Sequence, residues 1–110
     1  MEIIKDDRKH ELLRMLKNMY YAAEKENVND IKALSNLFTN WLKKIFGQPP
    51  WKHKTEAFEW DKARNAIIGV PMLLEMYRIK RLKENDYEKR KKEQFVEILK
   101  RIKKVEEYLI

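Results

Sequence analysis

Glu56, Glu59 and Asp61 make a tight acidic cluster in the middle of the chain. Paired carboxylates are what a divalent ion for phosphodiester chemistry would require. On a helix, residues 56 and 59 are neighbours, whereas 59 and 61 point to different faces. Placed just after Thr55, a helix-capping residue type, the same acids complement the positive end of a helix dipole. His10 and His53 are the two histidines, and the chain has no cysteine. Two isolated imidazoles with no thiolate make a poor metal site, and His10-Glu11 does not open an HExxH motif. Ser35 is the sole serine, and neither a Gly-x-Ser-x-Gly elbow nor a glycine-rich phosphate loop occurs. These residues predict a protein that is not an enzyme, with no catalytic set, metal, cofactor or small-molecule substrate.

Charge is the more informative chemistry. The net charge is +7, and the excess sits in the last third. From Arg78 to Lys104 there are twelve Lys and Arg against five Asp and Glu, while the rest of the chain cancels. Such asymmetry points to an acidic partner or nucleic acid. On a helical wheel Lys89, Lys92, Lys100 and Lys103 fall roughly opposite the apolar seam, beside Val96 and diluted by Glu93 and Glu97. These four lysines are the candidate nucleic-acid contacts, and binding through phosphates would be independent of sequence. The competing reading is a solvated face. Basic amphipathic helices also bind membranes, but here the apolar stripe is needed for the core.

A second candidate surface is aromatic. Phe38, Trp41, Phe46, Trp51, Phe58 and Trp60 cluster within 23 residues that include Pro49-Pro50. Phe38 and Trp41 fall on an apolar stripe and read as core. Trp51 lies in the loop between Pro50 and Lys52, where tryptophan is a candidate partner contact. Leu109 and Ile110 end the chain on two apolar residues and are candidate partner contacts too. A homodimer or a helical protein partner follows as the expectation.

The elements that must position these residues are helical. The most apolar stretch, from Ala66 to Tyr77, carries one charge, Glu75. It is too short to span a bilayer, which needs about twenty apolar residues, so it reads as the most buried segment. Pro71 lacks an N–H, its ring clashes with the carbonyl of Ile67, and Val70 is pushed from the α region. A break or sharp kink is predicted between Ile68 and Met72, at Gly69-Val70-Pro71. Leu12, Met15, Leu16, Met19, Tyr20 and Ala23 predict a helix near 7–25 with Asp6 or Asp7 as cap. Ile31, Leu34, Phe38, Trp41, Leu42 and Ile45 predict a second near 30–46, capped by Asn29 or Asp30 and stopped by Gly47 and Pro49-Pro50. Thr55 opens a third near 55–68, resuming over 71–83. Phe95, Ile98, Ile102, Val105 and Leu109 step by three, four, three and four, a heptad seam on a last helix near 86–109. No segment alternates with period two.

At 110 residues this is one domain, 1–110, large enough for a core without staples. The fold expected is all-α, an antiparallel helical bundle of four main helices, the third broken or kinked. The start, Met1-Glu2-Ile3-Ile4-Lys5-Asp6, turns charged at once, so no signal peptide is expected. The short, cysteine-free composition, rich in Lys, Glu, Ile and Tyr and with two glutamines, Gln48 and Gln94, resembles the small uncharacterised helical proteins of hyperthermophilic archaea and their viruses. That resemblance implies a heat-stable cytoplasmic protein, in the host cell if viral. The working function is a structural or interaction module, and the rival is a nucleic-acid binder using 78–104.

Overall fold

The computed structural model describes the backbone of residues 2–109 and the side chains of residues 7–108. Four helices follow in order: α1 (Glu2–Glu24), α2 (Val28–Phe46), α3 (Thr55–Arg78) and α4 (Glu84–Glu106), closed by a 3-10 turn, Glu107–Leu109. No strand forms among the described residues. Cross-helix contacts establish the directions. Lys17 near the middle of α1 pairs with Glu106 at the end of α4, while Glu26 just past α1 meets Tyr87 and Lys91 near the start of α4. Glu59 early in α3 faces Lys104, and Gln94 reaches back to Ala66. Each helix therefore runs against its successor, and the fold is an up-down-up-down bundle measuring 51 × 25 × 22 Å.

The core is the set of apolar stripes read from the sequence. Leu12, Leu16, Met19 and Ala23 from α1 meet Ile31, Phe38 and Leu42 from α2, Trp60, Ala63 and Ile67 from α3, and Ile98, Ile102 and Val105 from α4. The heptad seam of α4 thus serves the core of its own chain.

Of the break or kink expected at Gly69-Val70-Pro71, the break does not occur: α3 runs as one helix, with Pro71 inside it. Proline in a helix interior costs about 3 kcal/mol. Ile67, Val70 and Leu74 are buried on one side of the same stretch, and each is worth roughly 1.5–3 kcal/mol. Burial wins. Gly69 lets α4 come close, because a β-carbon there would stand 2.7 Å from Nε2 of Gln94. That amide donates to the Ala66 carbonyl at 2.6 Å. The glycine serves helix packing rather than helix termination.

The caps also differ from expectation. Asn27, not Asn29 or Asp30, caps α2, its side chain accepting from the Asp30 N–H at 3.1 Å. Lys54 and Lys83 precede α3 and α4 with no side-chain cap bond. Helix α3 stops at Arg78 rather than 83, and α1 and α3 end alike. Glu26 (φ 58°) and Lys80 (φ 61°) are left-handed, and the N–H groups of Asn27 and Arg81 reach back to the carbonyls of Ala22 and Met76. Both ends are Schellman motifs built without glycine. Gly47 (φ 88°) ends α2 as its position predicts.

Candidate functional site

The acidic cluster does not converge. Glu56 faces α1, its carboxylate 3.1 Å from Nζ of Lys9. Glu59 is buried against α4, with Lys104 at 3.3 Å and Arg101 and Lys62 at 3.9 Å. Asp61 holds Arg64 at 2.7 Å, and Arg64 also donates to the hydroxyls of Ser35 (3.3 Å) and Thr39 (3.1 Å) on α2. Glu56 and Glu59 thus tie α3 to α1 and α4, while Asp61 holds Arg64 of its own helix toward α2. Ser35 is buried beneath Arg64, and both histidines are exposed in separate elements.

The partner-contact reading of Trp51 is also corrected. Its side chain is 5 % exposed and joins the core. The loop from Gly47 to Lys54 folds back so that the indole Nε1–H donates to the Gly47 carbonyl at 3.0 Å. Burying an aromatic this large while satisfying its one donor is more favourable than leaving it in solvent. Of the terminal candidates, the Leu109 side chain and Ile110 lie outside the described residues.

The four lysines stand where the wheel places them. Lys89, Lys92, Lys100 and Lys103 are exposed on α4. Three other cations of that helix are engaged: Lys91 with Glu26, Arg101 with Glu97 and Glu59, Lys104 with Glu59. By contrast, Lys89, Lys92, Lys100 and Lys103 form no ion pair among the described residues. Val96 (67 % exposed) and Leu99 (52 %) lie among them. Leu99 also lines a groove of about 360 Å³ between α1 and α4, with Lys17, Tyr20, Tyr21 and Lys103. Tyr21 is 56 % exposed, and Tyr20 packs edge-on against both Tyr21 and Phe95. The structure therefore joins the basic face to an apolar strip. Leu99 and Tyr21 were not singled out from the sequence. The available signal was that Leu99 lies off the heptad seam, one position past Ile98.

At the far end of the bundle Glu26 binds α4. Its carboxylate accepts from Tyr87 Oη at 2.7 Å and from Lys91 Nζ. The bonds from Lys91 and then Tyr87 hold the Glu26 carboxyl below its ordinary value. Burial, with the Glu26 bond second, pushes the Tyr87 phenol up. Tyr87 stacks on Tyr77 of α3, ring centres 4.7 Å apart. This cluster latches the α1–α2 turn to α4.

No helix among the described residues is long and apolar enough to cross a membrane. Comparison of the chain with protein-family models, curated proteins and solved structures finds no match.

Proposed function

We propose that the protein is a non-enzymatic interaction module whose outer α4 face, with the α1–α4 groove, holds an acidic amphipathic segment of a protein partner. One observation carries this reading: four lysines with no ion pair among the described residues surround two exposed aliphatic side chains on a single helix face. Lysine ammonium groups set beside apolar surface match a helix with leucines on one side and glutamates flanking them. Self-association through this face is disfavoured, since it would set like charges against each other.

Sequence-independent nucleic-acid binding is the second reading, favoured by the same lysines and by the exposed Tyr21 ring. Aliphatic side chains have no role against phosphates, so the two readings separate experimentally. A labelled Leu- and Glu-patterned peptide of roughly twenty residues and random single-stranded and duplex DNA are titrated by fluorescence anisotropy across a salt series. A protein partner predicts that the peptide binds, and that Val96→Ser with Leu99→Ser weakens it about tenfold, as does changing the four lysines to glutamate. A nucleic-acid role predicts DNA binding that ignores the aliphatic pair, with a log–log salt slope of roughly −3 to −4. Failure of the peptide to bind removes the first reading, and loss of DNA binding at physiological salt removes the second. Heat stability belongs to the same proposal, supported by the ion pairs that join α3 and α4 around Glu59, and a cytoplasmic location is proposed with it.

A further inference from the structure

A second surface lies on the opposite side of the bundle. Helices α2 and α3 leave an open groove of about 610 Å³, floored by Val28, Ile31, Ile68 and Pro71. Met72 stands at its rim, 64 % exposed. Two charges flank it, Lys32 on α2 and Glu75 on α3, and neither makes an ion pair among the described residues. The amide Asn36 also lines the groove, and Asn40 and Asn65 are exposed further along the same helices. An apolar centre with sparse charge, in a chain that is 39 % charged, has the composition of an interface.

We propose that this groove is occupied by a second copy of the chain. The charges define how. Lys32 and Glu75 line one groove from opposite sides, on antiparallel helices and about one helical turn apart along the bundle, as the Arg64 bonds to Ser35 and Thr39 set the register. A two-fold axis running along the groove lays α2 of one protomer over α3 of its partner. Each Lys32 then comes within the reach of its long side chain of the partner's Glu75, and the pairing occurs twice, as an isologous interface requires. Met72 of each protomer seats in the facing groove. Two helices about 28 Å long and together about 20 Å wide give a footprint of roughly 550 Å². That is below the ~800 Å² per partner of a standard complex, so the dimer is weak, with Kd in the micromolar range or above. Both α4 faces remain outward, and a dimer presents two of them. The inference stands independently of what α4 binds.

Sedimentation equilibrium from about 10 µM to about 1 mM at low salt tests it, with circular dichroism confirming that each variant is folded. The wild type is expected to form dimers and nothing larger. Lys32→Glu and Glu75→Lys each place like charges in both contacts and are expected to weaken the dimer at least tenfold, as is Met72→Asp. An equimolar mixture of Lys32→Glu and Glu75→Lys restores opposite signs in both contacts of the mixed dimer and is expected to recover association. The variant with the four α4 lysines changed to glutamate is expected to dimerise as the wild type does. A wild type that stays monomeric throughout overturns the proposal. So does a dimer that survives the single charge changes, a mixture that does not recover, or a dimer lost on changing the α4 lysines.

Discussion

Trp51 and Glu26 show how a single side chain acquires its role from what it meets. Trp51 stands between Pro50 and Lys52, a setting that resembles a surface loop, yet its ring is inside. Trp51→Ala is accordingly expected to lower stability by about 3–5 kcal/mol in urea unfolding, not to alter binding by a folded protein. A loss under 1 kcal/mol would contradict the buried position. Glu26 has the opposite history: nothing in its sequence neighbourhood marks it, and it becomes the acceptor for Tyr87 and Lys91. Because its folded pKa is lowered, the unfolded state takes up a proton first as pH falls. The stabilisation is complete above the ordinary glutamate value of about 4.3 and is lost as pH drops through the folded value. Wild type and Glu26→Gln are therefore expected to differ in urea midpoint near neutral pH and to converge in acid. A difference that persists unchanged to about pH 2.5 would show that Glu26 ionisation is not involved. Tyr87 adds the alkaline counterpart: its raised pKa means that stability falls once pH exceeds the ordinary tyrosine value of about 10.

At the level of elements, two helix ends share one backbone geometry and differ in their side chains. Glu26 and Lys80 both occupy the left-handed region, which costs a non-glycine residue about 1 kcal/mol. Lys80 is exposed and its side chain makes no ion pair or side-chain hydrogen bond among the described residues. Lys80→Gly is expected to stabilise by about 0.5 kcal/mol, the relief being partly offset by unfolded-chain entropy. Glu26→Gly gains the same relief but strands Tyr87 and Lys91, and a net loss of about 1 kcal/mol or more is expected. Chemical denaturation of both variants checks the contrast, and equal shifts would refute it. Helix α3 supplies the second case. Gly69→Ala should gain about 0.5–1 kcal/mol of helix propensity, but the new methyl displaces the Gln94 amide from Ala66. In a Gln94→Ala background that gain is expected in full, and in the wild type it is cancelled or reversed. The double-mutant cycle should show coupling of about 1 kcal/mol. Additive effects would mean that Gly69 is only punctuation, which is how Gly69-Val70-Pro71 reads in the sequence.

At the scale of the molecule, one continuous core crosses all four helices. A single cooperative unfolding transition is therefore expected by fluorescence and far-UV circular dichroism alike. If the proposed heat stability holds, its midpoint lies above about 90 °C. Non-coincident transitions would show that the helices do not form one unit. The all-α class, four helical tracts, the α4 seam and the outward position of Lys89, Lys92, Lys100 and Lys103 were all legible in the sequence. Periodic burial is a local property, written every three or four residues along each helix. Whether α3 breaks at Pro71, where Trp51 points, which way each carboxylate from 56 to 61 faces, and that Leu99 and Tyr21 share a groove were settled only by tertiary structure. Each depends on a neighbour distant in sequence: Gln94 against Gly69, the core beneath the Pro49-Pro50 loop, Lys9, Lys104 and Ser35 around α3, and α1 beside α4. Periodicity in one helix carries no information about which face of another will cover it, because that choice minimises the free energy of the whole packed core rather than of any single segment.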